Sequence, residues 1–201
     1  ATYPLFGAKG NLYFHNASIF CHSYGPYDSI GLEKAISPTS ILHYLSVSST
    51  SSLGAFAIAL IGFTNIFGTI YAGWLGQRFQ KKYLLAGVYA LRTLIGLLFI
   101  IFPITPLSVV LFSIFMGSLW LATVPLTSGL IAHIYGLRYM GTLYGLVFLS
   151  HQLGSFLGVW MGGRLYDATG DYTLVWWIGI GVSAFSTLIH LPIKEKRLQT
   201  I

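Results

Sequence analysis

Residues 53–75 form a run of 23 amino acids without a formal charge. An α-helix rises 1.5 Å per residue, so about 20 apolar residues cross the ~30 Å hydrocarbon core of a bilayer. Lipid offers no hydrogen bonds, which leaves a run of this kind only the helix or the closed barrel. The pattern recurs: residues 84–102, interrupted only by Arg92, and residues 107–134, 141–165 and 174–191 are further long apolar runs. Five spanning helices are predicted, and with them an all-α integral membrane protein. Charged residues are 8% of the chain against about 25% in a soluble domain, which excludes a water-soluble fold.

The short segments between these runs set the expected topology. Arg78, Lys81, Lys82, Arg138, Lys194, Lys196 and Arg197 fall on one side of the predicted bundle. Lys9, Lys34 and Arg164 fall on the other, together with Asp28, Glu33, Asp167 and Asp171. Cytoplasmic loops carry the excess of Lys and Arg, so the first side is expected to be cytoplasmic, giving a multi-pass protein of the cell membrane with its C-terminus in the cytoplasm. The same clustering accounts for the net charge of +6 through the bilayer as partner, without nucleic acid. One cysteine, Cys21, permits neither an intrachain disulfide nor a cysteine-rich metal site, and no cofactor or metal is expected.

Residues 1–52 read differently. Pro4, Pro26 and Pro38, with His15, His22, His43, Asp28, Glu33 and Lys34, interrupt every apolar run there. This segment is expected to be loop-rich, with one short interfacial helix near residues 36–45. The predicted organisation is therefore an atypical segment over 1–52, a five-span bundle over 53–195 and a cytoplasmic tail over 196–201.

Residues 141–165 carry the clearest division of faces. At ~100° per residue, Tyr144, His151, Gly154, Ser155, Gly158 and Gly162 gather within about one third of the circumference. Leu146, Leu149, Leu153, Phe156, Leu157 and Trp160 occupy the opposite side. Bulky residues suit lipid, whereas small and hydrogen-bonding ones suit close helix approach. Gly154, Gly158 and Gly162, at G-x-x-x-G spacing, are read as packing positions. Residues 53–75 share the design, with Gly54, Gly62, Asn65, Gly68, Thr69, Ala72 and Gly76 on one side. In residues 107–134, Ser113, Met116, Trp120, Thr123 and Thr127 make a stripe, and Pro125 predicts a kink.

The loop after the first span contains Gly73, Leu75, Gly76, Arg78, Lys81 and Lys82. It resembles the signature G-x-L-x-D-R-x-G-R-[KR] of the major facilitator superfamily, with Gln77 in place of the acidic residue and Gln80 in place of the second glycine. These departures resemble the weaker second copy of the motif, between the eighth and ninth family helices. Residues 124–129, 138–145 and 162–172 are similar to the branch containing monocarboxylate transporters and oxalate/formate antiporters. The resemblance covers about residues 53–195 and implies helices 8 to 12 of a twelve-helix transporter, a partial six-helix half-bundle. It also implies a missing N-terminal half as partner and a truncated or disrupted helix 7 region within residues 1–52. Gly73, Gly76, Arg78, Lys81 and Lys82 would form a cytoplasmic gating loop.

Two titratable groups inside the spans set the candidate pathway. His151, with Gln152 beside it, is a proton relay or anion ligand, or else a neutral histidine bonded to a neighbouring helix. Arg92 is a carboxylate-binding group, or else a structural or snorkelling cation. Asn65, Trp120, Thr123 and Tyr144 are expected on inward faces, where they contact substrate or pack between helices. The function implied is secondary active transport of a small solute, an organic anion such as a monocarboxylate, by alternating access with proton as a candidate coupling ion. The alternative is a truncated, non-transporting membrane scaffold. An intramembrane serine protease is disfavoured: Ser128 lies in Leu-Thr-Ser-Gly without a nucleophile motif, and no carboxylate falls inside a span.

Overall fold

The computed structural model describes residues 47–103, 105–170 and 172–195. The expected interfacial helix near 36–45, the bulk of segment 1–52 and the tail 196–201 lie outside the described residues. Six α-helices follow in order: α1 (Val47–Arg78), α2 (Lys81–Ile101), α3 (Pro106–Trp120), α4 (Thr123–Tyr135), α5 (Met140–Thr169) and α6 (Thr173–His190). A single 3₁₀ turn, Leu137–Tyr139, links α4 to α5, and no strand occurs among the described residues.

The boundaries differ from the sequence reading in three places, each for a local reason. α1 already includes Val47, the first described residue, six residues ahead of the predicted span, because backbone hydrogen bonding continues past the apolar part of a span. Residue Asp167, expected in a turn, lies inside α5. That helix ends only at Gly170, whose φ of 78° is the left-handed conformation that glycine adopts without a Cβ penalty. The expected kink in the third span is a full interruption, and it falls at Leu121–Ala122 rather than at Pro125.

Four spans are long and apolar enough to cross a membrane among the described residues: Phe56–Arg78, Lys81–Ile101, Pro106–Tyr135 (α3 and α4 together) and Thr173–His190. α5 has the length, ~45 Å at 1.5 Å per residue, but its glycines, Ser150, His151, Gln152 and Ser155 dilute its apolar character. Its role as a fifth span therefore rests on its faces rather than on its hydropathy.

Packing is organised in pairs, α1 against α3 and α2 against α6. Glycines set the closest approach. A Cβ on Gly68 would collide with the backbone carbonyl of Ser118, and one on Gly117 would stand 2.7 Å from the carbonyl oxygen of Ile61. Two apolar clusters result. One joins Ala57, Ile61, Phe99, Val109, Phe112 and Met116, with Trp176 of α6 against it. The other joins Ala72, Leu85, Ala122, Leu126, Leu130, Ile134 and Ile193. α5 is attached mainly to α4, through Leu143 and Val147 against Ile131.

Candidate functional site

Each central helix carries a polar residue at the level between the two apolar clusters: Asn65 between Ile61 and Ala72, Arg92 between Leu85 and Phe99, and Thr123 between Met116 and Leu126. The break between α3 and α4 lies in this layer. Pro125 has no N–H to offer the carbonyl four residues earlier, which is that of Leu121. The Leu121 carbonyl instead accepts the Val124 N–H at 3.0 Å. That N–H would otherwise serve the Trp120 carbonyl, so the vacancy moves back one residue.

Neighbouring helices satisfy the groups this opening releases. One Nη2 of Arg92 donates to the Trp120 carbonyl at 3.3 Å, and its guanidinium carbon lies 5.5 Å from the centroid of the Trp120 ring. On the other flank, the Leu121 N–H donates to Oδ1 of Asn65 at 3.0 Å, and Thr69 Oγ1 donates to the same oxygen at 3.4 Å. The interruption is thus held from α1 and from α2 at once.

Arg92 is only 8% exposed, and its Nε is buried without a hydrogen-bond partner. No carboxylate lies within ion-pairing distance of it among the described residues; the ion pair formed there is Lys81–Glu195, at 3.7 Å. Arg92 is eleven residues into α2, about 16 Å along the helix from Lys81. A full positive charge at that depth, held by a carbonyl and an indole face, lacks an anion.

The sequence-predicted pathway residues divide into two groups. Asn65, Arg92 and Trp120 converge on the break, with Thr123 fully buried beside it. Tyr144, His151 and Gln152 lie on α5. Tyr144 packs against the Ile131–Leu143–Val147 cluster, the His151 ring lies 6.0 Å from that of Phe148, and Gln152 is exposed. On the same helix Gly154, Gly158 and Gly162 are buried, while Leu146, Leu149, Leu153, Phe156, Leu157 and Trp160 are exposed.

The residues expected to form a gating loop are helical, Gly73, Gly76 and Arg78 in the last turns of α1 and Lys81 and Lys82 in the first turn of α2, and only Phe79 and Gln80 connect the two. Gly76 is buried and a Cβ there would stand 2.9 Å from Leu126, so α1 approaches α4 closely. The Gly73 position is looser, with Pro125 Cβ at 3.9 Å. Lys81 pairs with Glu195, whose Oε2 also accepts the Lys82 N–H at 3.3 Å. A carboxylate is thereby placed at the N-terminus of α2, where the helix dipole favours it. The Arg78 guanidinium lies 4.2 Å from the centroid of Trp74, and the Lys82 ammonium 4.6 Å from that of Tyr83.

Sequence reasoning passed over the α2–α6 seam. His190 is buried, with Nδ1 2.7 Å from the Ser186 carbonyl oxygen and its ring stacked on Tyr89 at 5.0 Å. Ser183 Oγ donates to the Tyr89 carbonyl at 3.0 Å. The available signal was a set of polar residues, Ser183, Ser186 and His190, at helical spacing in an apolar run.

These features define a polytopic helical membrane protein with a polar layer at mid-bundle. The sequence profile of the Major Facilitator Superfamily matches residues 29–200. The chain belongs to that family. An uncharacterized MFS-type transporter, YcxA, of Bacillus subtilis (strain 168) is 28% identical over 151 residues, covering 71% of this chain and 37% of the relative. Monocarboxylate transporter 12 of Xenopus laevis is 31% identical over 137 residues, 64% of this chain and 29% of that protein. Monocarboxylate transporter 12-B of Danio rerio is 29% identical over 139 residues, 67% and 29% respectively. The chain matches about a third of the length of these curated relatives. The last two support the monocarboxylate branch, and the family match with all three supports a transporter family rather than an intramembrane enzyme.

Proposed function

We propose that the chain is the C-terminal part of a secondary active transporter that moves a small organic anion by alternating access. The observation that carries this reading is Arg92, a buried guanidinium at mid-bundle with a free Nε and no carboxylate partner among the described residues. A carboxylate from the substrate would complete its coordination, since two parallel N–H···O bonds are the strongest arrangement a guanidinium makes. The names of the two monocarboxylate transporter relatives favour the same chemistry and favour transport over a membrane scaffold.

Asn65, Trp120 and Thr123 would line the route beside Arg92. Tyr144, His151 and Gln152 on α5 would supply a second, proton-accessible wall. Residues 53–195 act in this reading as family helices 8 to 12, with the C-terminus cytoplasmic, and an N-terminal half closes the cavity from the opposite side. The break between α3 and α4, held by side chains rather than by helix backbone, is where the bundle bends between inward- and outward-open states.

Uptake of radiolabelled lactate into proteoliposomes containing the intact gene product tests the reading. Saturable uptake that a transmembrane pH gradient accelerates is expected. No saturable flux with lactate, pyruvate or acetate would reject the organic-anion assignment.

A further inference from the structure

A cavity of about 280 Å³ opens between α1 and α2, with α3 and α4 behind it. Gly68, Ala72 and Leu75 form its α1 wall, and Leu84, Gly87 and Leu91 its α2 wall. Tyr71 and Tyr83, both exposed, stand among its lining residues. From Tyr83 to Leu91 the groove follows α2 for about 12 Å from the loop into the hydrocarbon region. The slot is open at Gly87, where a Cβ would meet nothing within 4 Å.

Two cations stand at the loop end of this groove, each tied to its lining through an aromatic ring. Lys82 lies over Tyr83, itself a lining residue. Arg78 lies over Trp74, which stacks on the lining residue Tyr71 with ring centroids 5.8 Å apart. Neither cation pairs with a carboxylate among the described residues, whereas Lys81 between them does. Aromatic rings with Lys and Arg at the end of a span mark the headgroup level of a bilayer. An apolar slot that runs inward from two cations at that level matches one molecule in both halves.

We propose that the groove between α1 and α2 is a binding site for an anionic phospholipid, with one acyl chain along Gly87 and Leu91 and the phosphate held by Arg78 and Lys82. The apolar lining gives no affinity for a free anion, and the two cations give preference over a zwitterionic lipid. Each cation near the membrane surface contributes about fivefold to the binding of an anionic headgroup. The site is independent of what the protein transports.

Native mass spectrometry of the intact gene product, purified with equal amounts of dioleoyl phosphatidylglycerol and dioleoyl phosphatidylcholine, tests the proposal. The wild type should retain phosphatidylglycerol by tenfold or more over phosphatidylcholine. Arg78→Gln with Lys82→Gln should bring the two lipids to parity. Gly87→Leu, whose Cβ meets nothing within 4 Å and whose side chain occupies the slot, should lower retention of phosphatidylglycerol several-fold at an unchanged melting temperature. Three results would overturn the site: equal retention in the wild type, a preference that survives the double substitution, or retention unaffected by Gly87→Leu. Displacement of the lipid by glycerol phosphate alone would overturn the acyl-chain half of it. A Gly87→Leu protein that melts lower is replaced by Leu91→Trp, which narrows the same slot from its exposed α2 side and must also lower retention.

Discussion

The break between α3 and α4 and the long helix α5 both carry polar side chains inside a membrane bundle, yet they are built in opposite ways. At the break, a proline frees backbone groups and side chains from two other helices take them up: Asn65 from α1 and Arg92 from α2. Helix α5 runs unbroken for 30 residues, and among the described helices it leans mainly on α4, through Leu143 and Val147. Of its polar residues, Tyr144 packs against the Ile131–Leu143–Val147 cluster and Gln152 is exposed. The contrast shows two ways for polarity to be stable at depth: as couplings between helices, which link their movements, or as one face of a helix that moves as a unit.

Substitutions should separate these two designs, and the largest effect belongs to the pair of helices that carries the break. Gly68→Val drives a branched side chain into the Ser118 backbone. Rigid helix backbone cannot yield as a side-chain tip would, so a loss of about 3 kcal/mol or more is expected, read as a collapse of the detergent-solubilised melting temperature. A variant that melts as wild type would show that α1 and α3 are not in register at this glycine.

Asn65→Ala removes the acceptor of the Leu121 N–H and leaves that donor unpaired. A loss of about 1–3 kcal/mol is expected, with faster hydrogen exchange localised to Leu121 and its neighbours. Protection unchanged at Leu121 would mean that the staple from α1 does not hold the break. Glu195→Gln weakens the half-buried pair with Lys81 and the cap on α2, and about 1 kcal/mol is expected in chemical denaturation. On α5, His151→Ala truncates a half-buried ring, and a loss of about 1 kcal/mol or less is expected. If uptake and its pH dependence are unaltered by that substitution, His151 has no part in proton movement.

Much of the fold was legible in the sequence because lipid imposes simple rules. Charge-free runs of about 20 residues located the helices, and helical spacing separated the exposed Leu146, Phe156 and Trp160 from the buried Gly154, Gly158 and Gly162. The loop motif around Gly73 and Arg78 pointed to the family. The position of the break was not legible, since a proline disturbs the carbonyl four residues before it and the vacancy then shifts to Trp120. Nor was the convergence of Asn65, Arg92 and Trp120, which lie on three helices and are joined through backbone groups that look alike in every residue. Arg92 stood out by its charge alone, and a snorkelling side chain would have looked the same in sequence. Its burial beside Trp120 makes the difference. The seam at His190 and Tyr89, and the return of Ile193 and Glu195 onto the bundle, depend on pairings between distant segments that no local pattern reports.

The central claim is that Arg92 is a cation awaiting a carboxylate. Initial rates of lactate uptake into proteoliposomes, measured for wild type, Arg92→Lys and Arg92→Gln at matched protein content and unchanged melting temperature, test it most directly. At least a tenfold fall in uptake is expected for Arg92→Gln and an intermediate rate for Arg92→Lys, which keeps the charge and loses the two-pronged geometry. A full wild-type rate and KM in Arg92→Gln would contradict it and reduce Arg92 to a brace for the α3–α4 break.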